Sequence, residues 1–353
     1  MEGSEPLACP RCRGKLVAAS DTWNCGDCAV AYRGLRGIPD LRTADDLYLP
    51  NREDWDFALR LADDYDRLDF RGLLERYYDL SPEIPADLRS RQIGHILTAP
   101  ERARRWLESL GDVGEGPLLD LGCGTGSFLA AVGRRWDEAW GIDIAMRWLL
   151  VARKRLDEEG LSHIRLVCGC SEQLPFGERR FAGIVAGDVI EHVGDQAGTL
   201  AESYRVLREG GGLFLASPNR FSLAPEPHVG VWGVGYLPRS WMVPYVRWVR
   251  GVDFRAIKTL GYAEWLRLLK ESPFGGGELW APGLPQSDLV AFTAGKRRLA
   301  RVYNRMITSW LGQRVAKRVG PLFHVVCRRS PSPSGPSPTP TIRPGSRSLA
   351  ATR

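Results

Sequence analysis

Acidic residues are missing from the end of this 353-residue chain: nothing after Asp288 is an Asp or Glu, while thirteen Lys and Arg occur there. The residues up to that point hold 35 bases against 42 acids, so the formal charge of +6 belongs to the C-terminal segment alone. Such asymmetry suits an anionic partner, nucleic acid or lipid headgroups, although a solvated helix face gives the same count. Also missing is any apolar run of about 20 residues, the length a membrane span needs. The N-terminus, rich in charge and cysteine, lacks a signal-peptide core, and a cytoplasmic location is the expectation. Histidine is scarce, five in all, which narrows the search for an imidazole base. The remainder is ordinary: 44% hydrophobic residues can build a sizeable core, and the length suits roughly two or three domains.

Four of the eight cysteines fall in Cys9-Pro10-Arg11-Cys12 and Cys25-Gly26-Asp27-Cys28, two Cys-x-x-Cys knuckles with twelve residues between them. Thiolates so spaced can close a tetrahedral site, and Arg13-Gly14 and Gly26-Asp27 supply the tight turns. A zinc ribbon over residues 1–41 is expected, with Cys9, Cys12, Cys25 and Cys28 holding a structural zinc. Two disulfides or an iron centre of rubredoxin type are the alternatives. So small a segment buries too little to fold without a metal. Residues 42–114 read as a helical cap or linker, with Trp55, Leu59, Tyr65, Leu68, Leu73, Leu74, Tyr77 and Tyr78 on apolar faces and breaks at Pro82, Pro85 and Pro100.

At Leu118-Leu119-Asp120-Leu121 a short apolar run breaks into Gly122-Cys123-Gly124-Thr125-Gly126 and continues as Ser127-Phe128-Leu129-Ala130. That is strand, tight loop, helix. Glycines there permit φ > 0 and let a ligand touch bare backbone. The next strand ends in Asp143, 21 residues past Gly122, the spacing at which an acid reaches a ribose. The pattern G-x-G-x-G, rather than the G-x-G-x-x-G that suits a pyrophosphate, favours a nucleoside ligand without phosphates. S-adenosylmethionine is such a ligand.

The loop resembles the first motif of the class I S-adenosylmethionine-dependent methyltransferases, and four later segments follow in the family's order. Asp143 matches the acid that holds the ribose hydroxyls, 171–176 is similar to the stretch lining the adenine, 188–193 to the fourth-strand motif, and 204–211 to the helix and turn before strand five. The resemblance covers about 100 residues. It implies an α/β fold over 115–328, a Rossmann-like, doubly wound, mostly parallel sheet with later strands at 164–167, 181–186 and 212–217 and an antiparallel closing strand at 323–327. It also implies S-adenosylmethionine bound by Asp120, Gly122, Cys123, Gly124, Gly126, Asp143, Ile144, Cys170, Ser171, Glu172 and Asp188. Cys170 stands where many members carry an acid for the adenine amino group, so backbone groups near Ser171 would carry more of that contact. A ribbon fused ahead of such a domain is similar to the architecture of large-subunit rRNA guanine methyltransferases.

Residues 219–320 exceed what the last two strands of that family require, and a helical insertion is expected. Pro225-Glu226-Pro227-His228 with Gly230, Gly233 and Gly235 makes a long loop. Six of twelve tryptophans, Trp232, Trp241, Trp248, Trp265, Trp280 and Trp310, fall in this stretch or beside it, which suits a pocket wall, an interface or buried packing. Over 298–318, Leu299, Val302, Tyr303, Met306, Ile307, Trp310, Leu311 and Val315 recur at helical spacing opposite Arg298, Arg301, Arg305, Lys317 and Arg318. Such a helix can contact a membrane surface peripherally; more often it covers a core with a solvated basic face. The Ser/Pro-rich tail, 329–353, is expected to be disordered.

Methyl transfer is an in-line displacement, so alignment matters most and a base is needed only when the acceptor carries a proton. Asp188, Glu191 and His192 follow strand four, where the methyl group should point. His192 is the first candidate base and His228, if its loop folds over the cleft, the second. Glu191-His192 fixing the loop by hydrogen bonds is an equal reading for that pair. A small-molecule or lipid-like acceptor is the leading expectation, rRNA or tRNA the alternative, and a non-catalytic binding module the third.

Overall fold

The computed structural model describes residues 7–285, 289 and 293–331. The cysteine-rich N-terminus forms a four-stranded antiparallel sheet of β1 (Leu16–Ala19), β2 (Thr22–Cys25), β3 (Ala31–Leu35) and β4 (Ile38–Pro39). Alternation shapes β2: Trp23 and Cys25 turn inward, Thr22 and Asn24 face water. Position 34 must be glycine, because a Cβ there would come within 2.2 Å of the Trp23 indole.

Three helices follow, α1 (Asn51–Asp64), α2 (Phe70–Asp79) and α3 (Ala86–Leu110). Asp69 caps α2 by accepting the Gly72 amide at 2.7 Å. The sequence predicts a break at Pro100, yet α3 runs through it. The lost backbone donor is offset by anchoring further along the helix, where Ala103 and Leu110 are buried and Trp106 lies over Gly187.

The main sheet has seven strands. In chain order these are β5 (Leu118–Leu121), β6 (Ala139–Asp143), β7 (Arg165–Cys168), β8 (Phe181–Gly187), β9 (Leu207–Pro218), β10 (Glu278–Trp280) and β11 (Leu322–Arg328), and across the sheet they run β10-β11-β9-β8-β5-β6-β7. The five from β5 to β9 are parallel; β11 and β10 pair antiparallel. Parallel strands are covered on both faces, which is why β5 reads as a continuous run. On one face lie α1 to α3, α4 (Ser127–Val132) and α5 (Met146–Glu158). On the other lie α6 (Gln196–Val206), the helix at Tyr262–Glu271 and the N-terminal module. The crossovers diverge on either side of β5, so a crevice opens at the C-terminal ends of β5 and β8.

The N-terminal module packs against this sheet and is not an appendage. Leu41 donates its amide to the Cys168 carbonyl (2.7 Å), Ala8 to Pro175 (2.9 Å), and the Arg13 guanidinium reaches the Leu174 carbonyl (2.6 Å). Leu7, Leu16 and Trp23 share one apolar cluster with Trp140, Phe176 and Phe181. The open edge of β7 is thereby covered, the usual remedy for an unpaired edge strand.

Beyond β9 the chain forms α7 (Arg239–Arg250), α8 (Tyr262–Glu271), β10, α9 (Ala294–Met306) and α10 (Trp310–Val319). The stretch 219–320 is therefore not one insertion: α8 and β10 belong to the sheet and its cover, with Trp265 fully buried. Val229, Val231, Met242, Val246 and Phe254 build a small separate core under the loop before α7. The segment 298–318 is two helices that turn Tyr303, Met306 and Ile307 partly inward but leave other large apolar residues uncovered. Leu299, Val302, Leu311 and Trp310 are exposed, the last at 72%, while Ala300 and Ala316 face inward. Trp232, Trp241 and Trp248 are also exposed. Arg329, placed by the sequence in a disordered tail, donates to the carbonyls of Tyr204 and Leu207; residues 332–353 of that tail lie outside the described residues. Among the described residues no helix is long and apolar enough to cross a membrane.

Candidate functional site

The loop from Gly122 to Gly126 is clipped to β6 by the amides of Gly122 and Cys123, which both donate to the Ile142 carbonyl (2.8 and 3.0 Å). All three glycines are left-handed, with φ of 69°, 48° and 69°. They are not equivalent. A Cβ on Gly122 would meet Val189 at 2.4 Å and one on Gly126 would meet Ala152 at 3.2 Å, whereas Gly124 has nothing within 4 Å. Only Gly124 presents bare backbone to open space; the other two are set by packing.

That space is a cleft of about 220 Å³ between the glycine loop, the face of α3 carrying His95, Arg102 and Trp106, and the Gly187-Asp188 end of β8. Asp143 holds its lip: Oδ2 accepts the Gly124 amide and Oδ1 the Ala145 amide, both at 2.9 Å. Burial lifts its carboxyl to about 6, against the pull of those two amides. Asp120, on the cleft wall, is buried with Oδ2 unpartnered among the described residues. Burial and the neighbouring Asp143 raise its pKa well above the usual carboxylate range. Cys123 also lines the cleft, and burial raises its thiol likewise, so it is no nucleophile.

The other expected cofactor residues stand off this wall. The Ile144 carbonyl accepts from Arg42 (3.2 Å). Cys170 is buried, with its sulfur 3.8 Å from the Ala44 carbonyl. The Ser171 hydroxyl meets Glu172 (2.9 Å) and Thr199 (3.1 Å), and Glu172 accepts the amides of Gly194 and Asp195. These side chains tie the loop after β7 to the start of α6. The α3 wall escaped the sequence reading, although His95, Ala99, Arg102 and Trp106 recur at one-face spacing and could have marked it.

Past Asp188 the chain turns through Glu191 and His192, and the 225–228 loop folds back onto them. The His228 ring lies 4.7 Å from that of His192, edge to face, and its Nε2 is 3.9 Å from Glu191 Oε1. His228 Nδ1 is 2.6 Å from Glu226 Oε1, and His192 Nδ1 is 2.6 Å from the Tyr48 hydroxyl. Glu191 is fully buried; burial first, then Asp188, push its carboxyl up to about 8 despite His228. Burial and His228 drive His192 down to about 3, so its imidazole is neutral. For His228 burial works against protonation but the Glu226 carboxylate prevails, and its pKa is raised. Tyr48 and Glu226 were not singled out from the sequence, because nothing local distinguishes them.

In the N-terminal module the four thiols converge, Cys9 with Cys28 at 3.7 Å and Cys12 with Cys25 at 3.4 Å, all four within 4.8 Å of one another. A tetrahedral zinc with bonds of about 2.3 Å separates its sulfurs by about 3.8 Å. A disulfide would bring a pair to about 2.05 Å, and all eight cysteines are free.

Residues 119–215 match the family model described as a methyltransferase domain. The resemblance is to a methyltransferase domain and extends over 97 of the 353 residues. The glycine loop, Asp143 and sheet are those expected of the class I, S-adenosylmethionine-dependent kind. The chain is 36% identical over 114 residues to the ubiquinone/menaquinone biosynthesis C-methyltransferase of Desulfotalea psychrophila, a match covering 31% of this chain and 45% of that one. It is 28% identical over 116 residues to the ubiquinone biosynthesis O-methyltransferase of Thiobacillus denitrificans, covering 33% and 50%. The chain thus spans about half the length of the curated relatives it matches. Among solved structures, geranyl diphosphate C-methyltransferase from Streptomyces coelicolor superposes with a TM-score of 0.44 at 18% identity, covering 65% of this chain and 77% of that one. The N-terminal module and the segment from α7 onward lie outside the family match.

Proposed function

We propose that this chain transfers the methyl group of S-adenosylmethionine to a small, lipid-like acceptor, with a structural zinc on Cys9, Cys12, Cys25 and Cys28. The observation that carries the cofactor assignment is the cleft over Gly124, whose wall holds the unpartnered Asp120 oxygen and whose glycine loop is held by the Asp143 carboxylate. Asp143 takes the ribose hydroxyls. The loop from Gly122 to Gly126 and Asp120 face the amino-acid end, and backbone from Ile144 and from Cys170 to Glu172 reaches the adenine. When bound, S-adenosylmethionine supplies a methyl group on a sulfonium, open to in-line displacement. The protein's part is then to hold the acceptor opposite that methyl and exclude water. Asp188, Glu191, His192 and His228 meet the acceptor at the end of β8 and orient it toward the methyl group.

The acceptor class rests on the surface near the later helices. Leu299, Val302, Trp310 and Leu311 are exposed among Arg298, Arg301, Arg314 and Lys317, and Trp248 on α7 is exposed at 83%. Apolar side chains in a basic frame suit the interface of an anionic membrane. The relatives named for ubiquinone and menaquinone biosynthesis are in keeping with a lipid-soluble acceptor. Incubating the protein and labelled S-adenosylmethionine with extract from cells lacking it should place label in the solvent-soluble fraction. Label in rRNA or tRNA would overturn the acceptor assignment in favour of RNA.

Asp143→Ala is expected to weaken S-adenosylmethionine binding by about 1 to 3 kcal/mol in calorimetry; equal affinities would place the ribose elsewhere. The charged carboxylate is the form that accepts the hydroxyls, and it is lost as pH falls through about 6. Affinity should therefore drop on acidification, approaching about tenfold per pH unit below that point. Asp143→Asn should flatten the dependence.

A further inference from the structure

Glu191 presents a problem that the methyltransferase reading leaves open. Its side chain is fully buried, and neither carboxylate oxygen has a hydrogen-bond partner among the described residues. The Ser217 hydroxyl lies close enough to favour its charged form but is turned to the Pro218 carbonyl at 3.5 Å. Kept charged in that state, the Glu191 carboxylate would cost several kcal/mol unless something cationic met it, which is why burial holds the carboxyl above its usual range. His228 does not close the gap, since Nε2 stands 3.9 Å away, beyond hydrogen-bond reach.

One imidazole from each of two separate segments converges on the same point. Glu191, His192 and His228 each offer a ligand atom, and the three atoms lie within 4.8 Å of one another. Bonds of about 2.0 to 2.2 Å span up to about 4.4 Å between opposite ligands, so small side-chain rotations close the set on one ion. Both rings are also held at their far nitrogen: His228 Nδ1 by Glu226 and His192 Nδ1 by the Tyr48 hydroxyl, each at 2.6 Å. An acceptor on the distal nitrogen is what orients metal-bound histidines and fixes their tautomer.

We propose that Glu191, His192 and His228 form a binding site for one divalent first-row transition-metal ion, ligated through Nε2 of both histidines and the Glu191 carboxylate. Two imidazoles and one carboxylate favour manganese, iron(II) or zinc over magnesium, which prefers an all-oxygen shell. Three protein ligands leave positions open for water or for an oxygen of the acceptor. The site's existence is independent of the methyltransferase reading; only that role rests on it.

Manganese(II) separates this site from the N-terminal cluster, because thiolates select softer ions. Full-length protein carrying one zinc per chain is titrated with MnCl2 while the electron paramagnetic resonance signal of free manganese is followed. One manganese per chain is expected, displaced by added zinc. Glu191→Gln and His228→Asn should abolish the uptake. Tyr48→Phe and Glu226→Gln, which change only the outer partners, should weaken it about 10- to 100-fold. Tyr48 is half exposed, so its variant keeps the proposal testable if the buried substitutions fail to fold. Absence of manganese uptake, with no zinc beyond the N-terminal ion, overturns the proposal, as does unchanged uptake by Glu191→Gln. Calorimetry with S-adenosylmethionine on the same samples tests the other reading separately: cofactor binding without manganese uptake sinks the metal site alone, and uptake without cofactor binding sinks the methyltransferase assignment alone.

Discussion

Chelating the metal from the four-cysteine module is expected to lower the melting temperature of the whole chain, not to loosen an N-terminus that hangs from an intact domain. The module is too small to hold its fold by burial, and a zinc on four thiolates supplies folding free energy directly. Its loss propagates because the module covers the open edge of the main sheet. Leu41 and Ala8 hydrogen-bond to the Cys168 and Pro175 carbonyls, and Trp23 and Leu16 share a core with Trp140 and Phe176. Without the module, the β7 edge and that apolar layer face water. A loss of about 5 kcal/mol corresponds to a fall of about 10 to 20 °C for a domain of this size. Cys12→Ser is the cleanest variant because Cys12 is exposed and its substitution removes no packing. Metal analysis should give one zinc per chain, and scanning calorimetry should show one transition moving down on chelation or in Cys12→Ser. Iron in place of zinc, or an unmoved main transition beside a small separate one, would contradict this.

The parts of the fold legible in the sequence are those with a local cause. The run 118–121 and the glycines after it mark β5 and its loop because a parallel strand buried on both faces must be apolar and the turn needs left-handed residues. The docking of the N-terminal module was not legible. Its contacts pair Asp40 with Cys168 and Leu7 with Phe176, far apart in the chain and largely through backbone, which carries no side-chain signature. Periodicity misled at 298–318, since helical spacing of large apolar residues shows that a face exists but not whether anything covers it.

In the site, Asp143 was legible from its distance to the glycine loop, and it does hold that loop. Gly122 and Gly126 have the left-handed φ expected of them, but Val189 and Ala152, rather than a ligand, exclude their side chains. The meeting of His228 with Glu191 and His192 depended on a loop of unpredictable path. Glu226 fixes that path by accepting the amides of His228 and Val229 at 2.9 and 3.1 Å, and the Lys258 amide donates to the Glu191 carbonyl at 2.7 Å.

Asp54→Ala is expected to cost about 3 to 5 kcal/mol of stability, the range for breaking a buried ion pair. In the sequence Asp54 is one of two acids in the first turn of α1, where exposure would make it worth little. In the structure it is wholly buried and central to a charge network. Its carboxylate accepts from Arg42 Nη1 (2.7 Å) and Arg147 Nη1 (2.6 Å), while Arg42 also pairs with Asp40 and Arg147 with Asp46. Truncation leaves two guanidinium groups buried against each other with half their partners gone. The same carboxylate accepts the Met146 amide at 3.0 Å, capping α5 where the helix dipole favours an anion. Since α5 starts three residues past Asp143, the loss should also reduce S-adenosylmethionine affinity. Asp54→Asn keeps an acceptor but not the charge, and should fall between wild type and alanine. Urea unfolding decides this through the midpoint at unchanged slope. A shift worth less than about 1 kcal/mol for Asp54→Ala would mean that water enters and solvates both arginines, as at a surface pair.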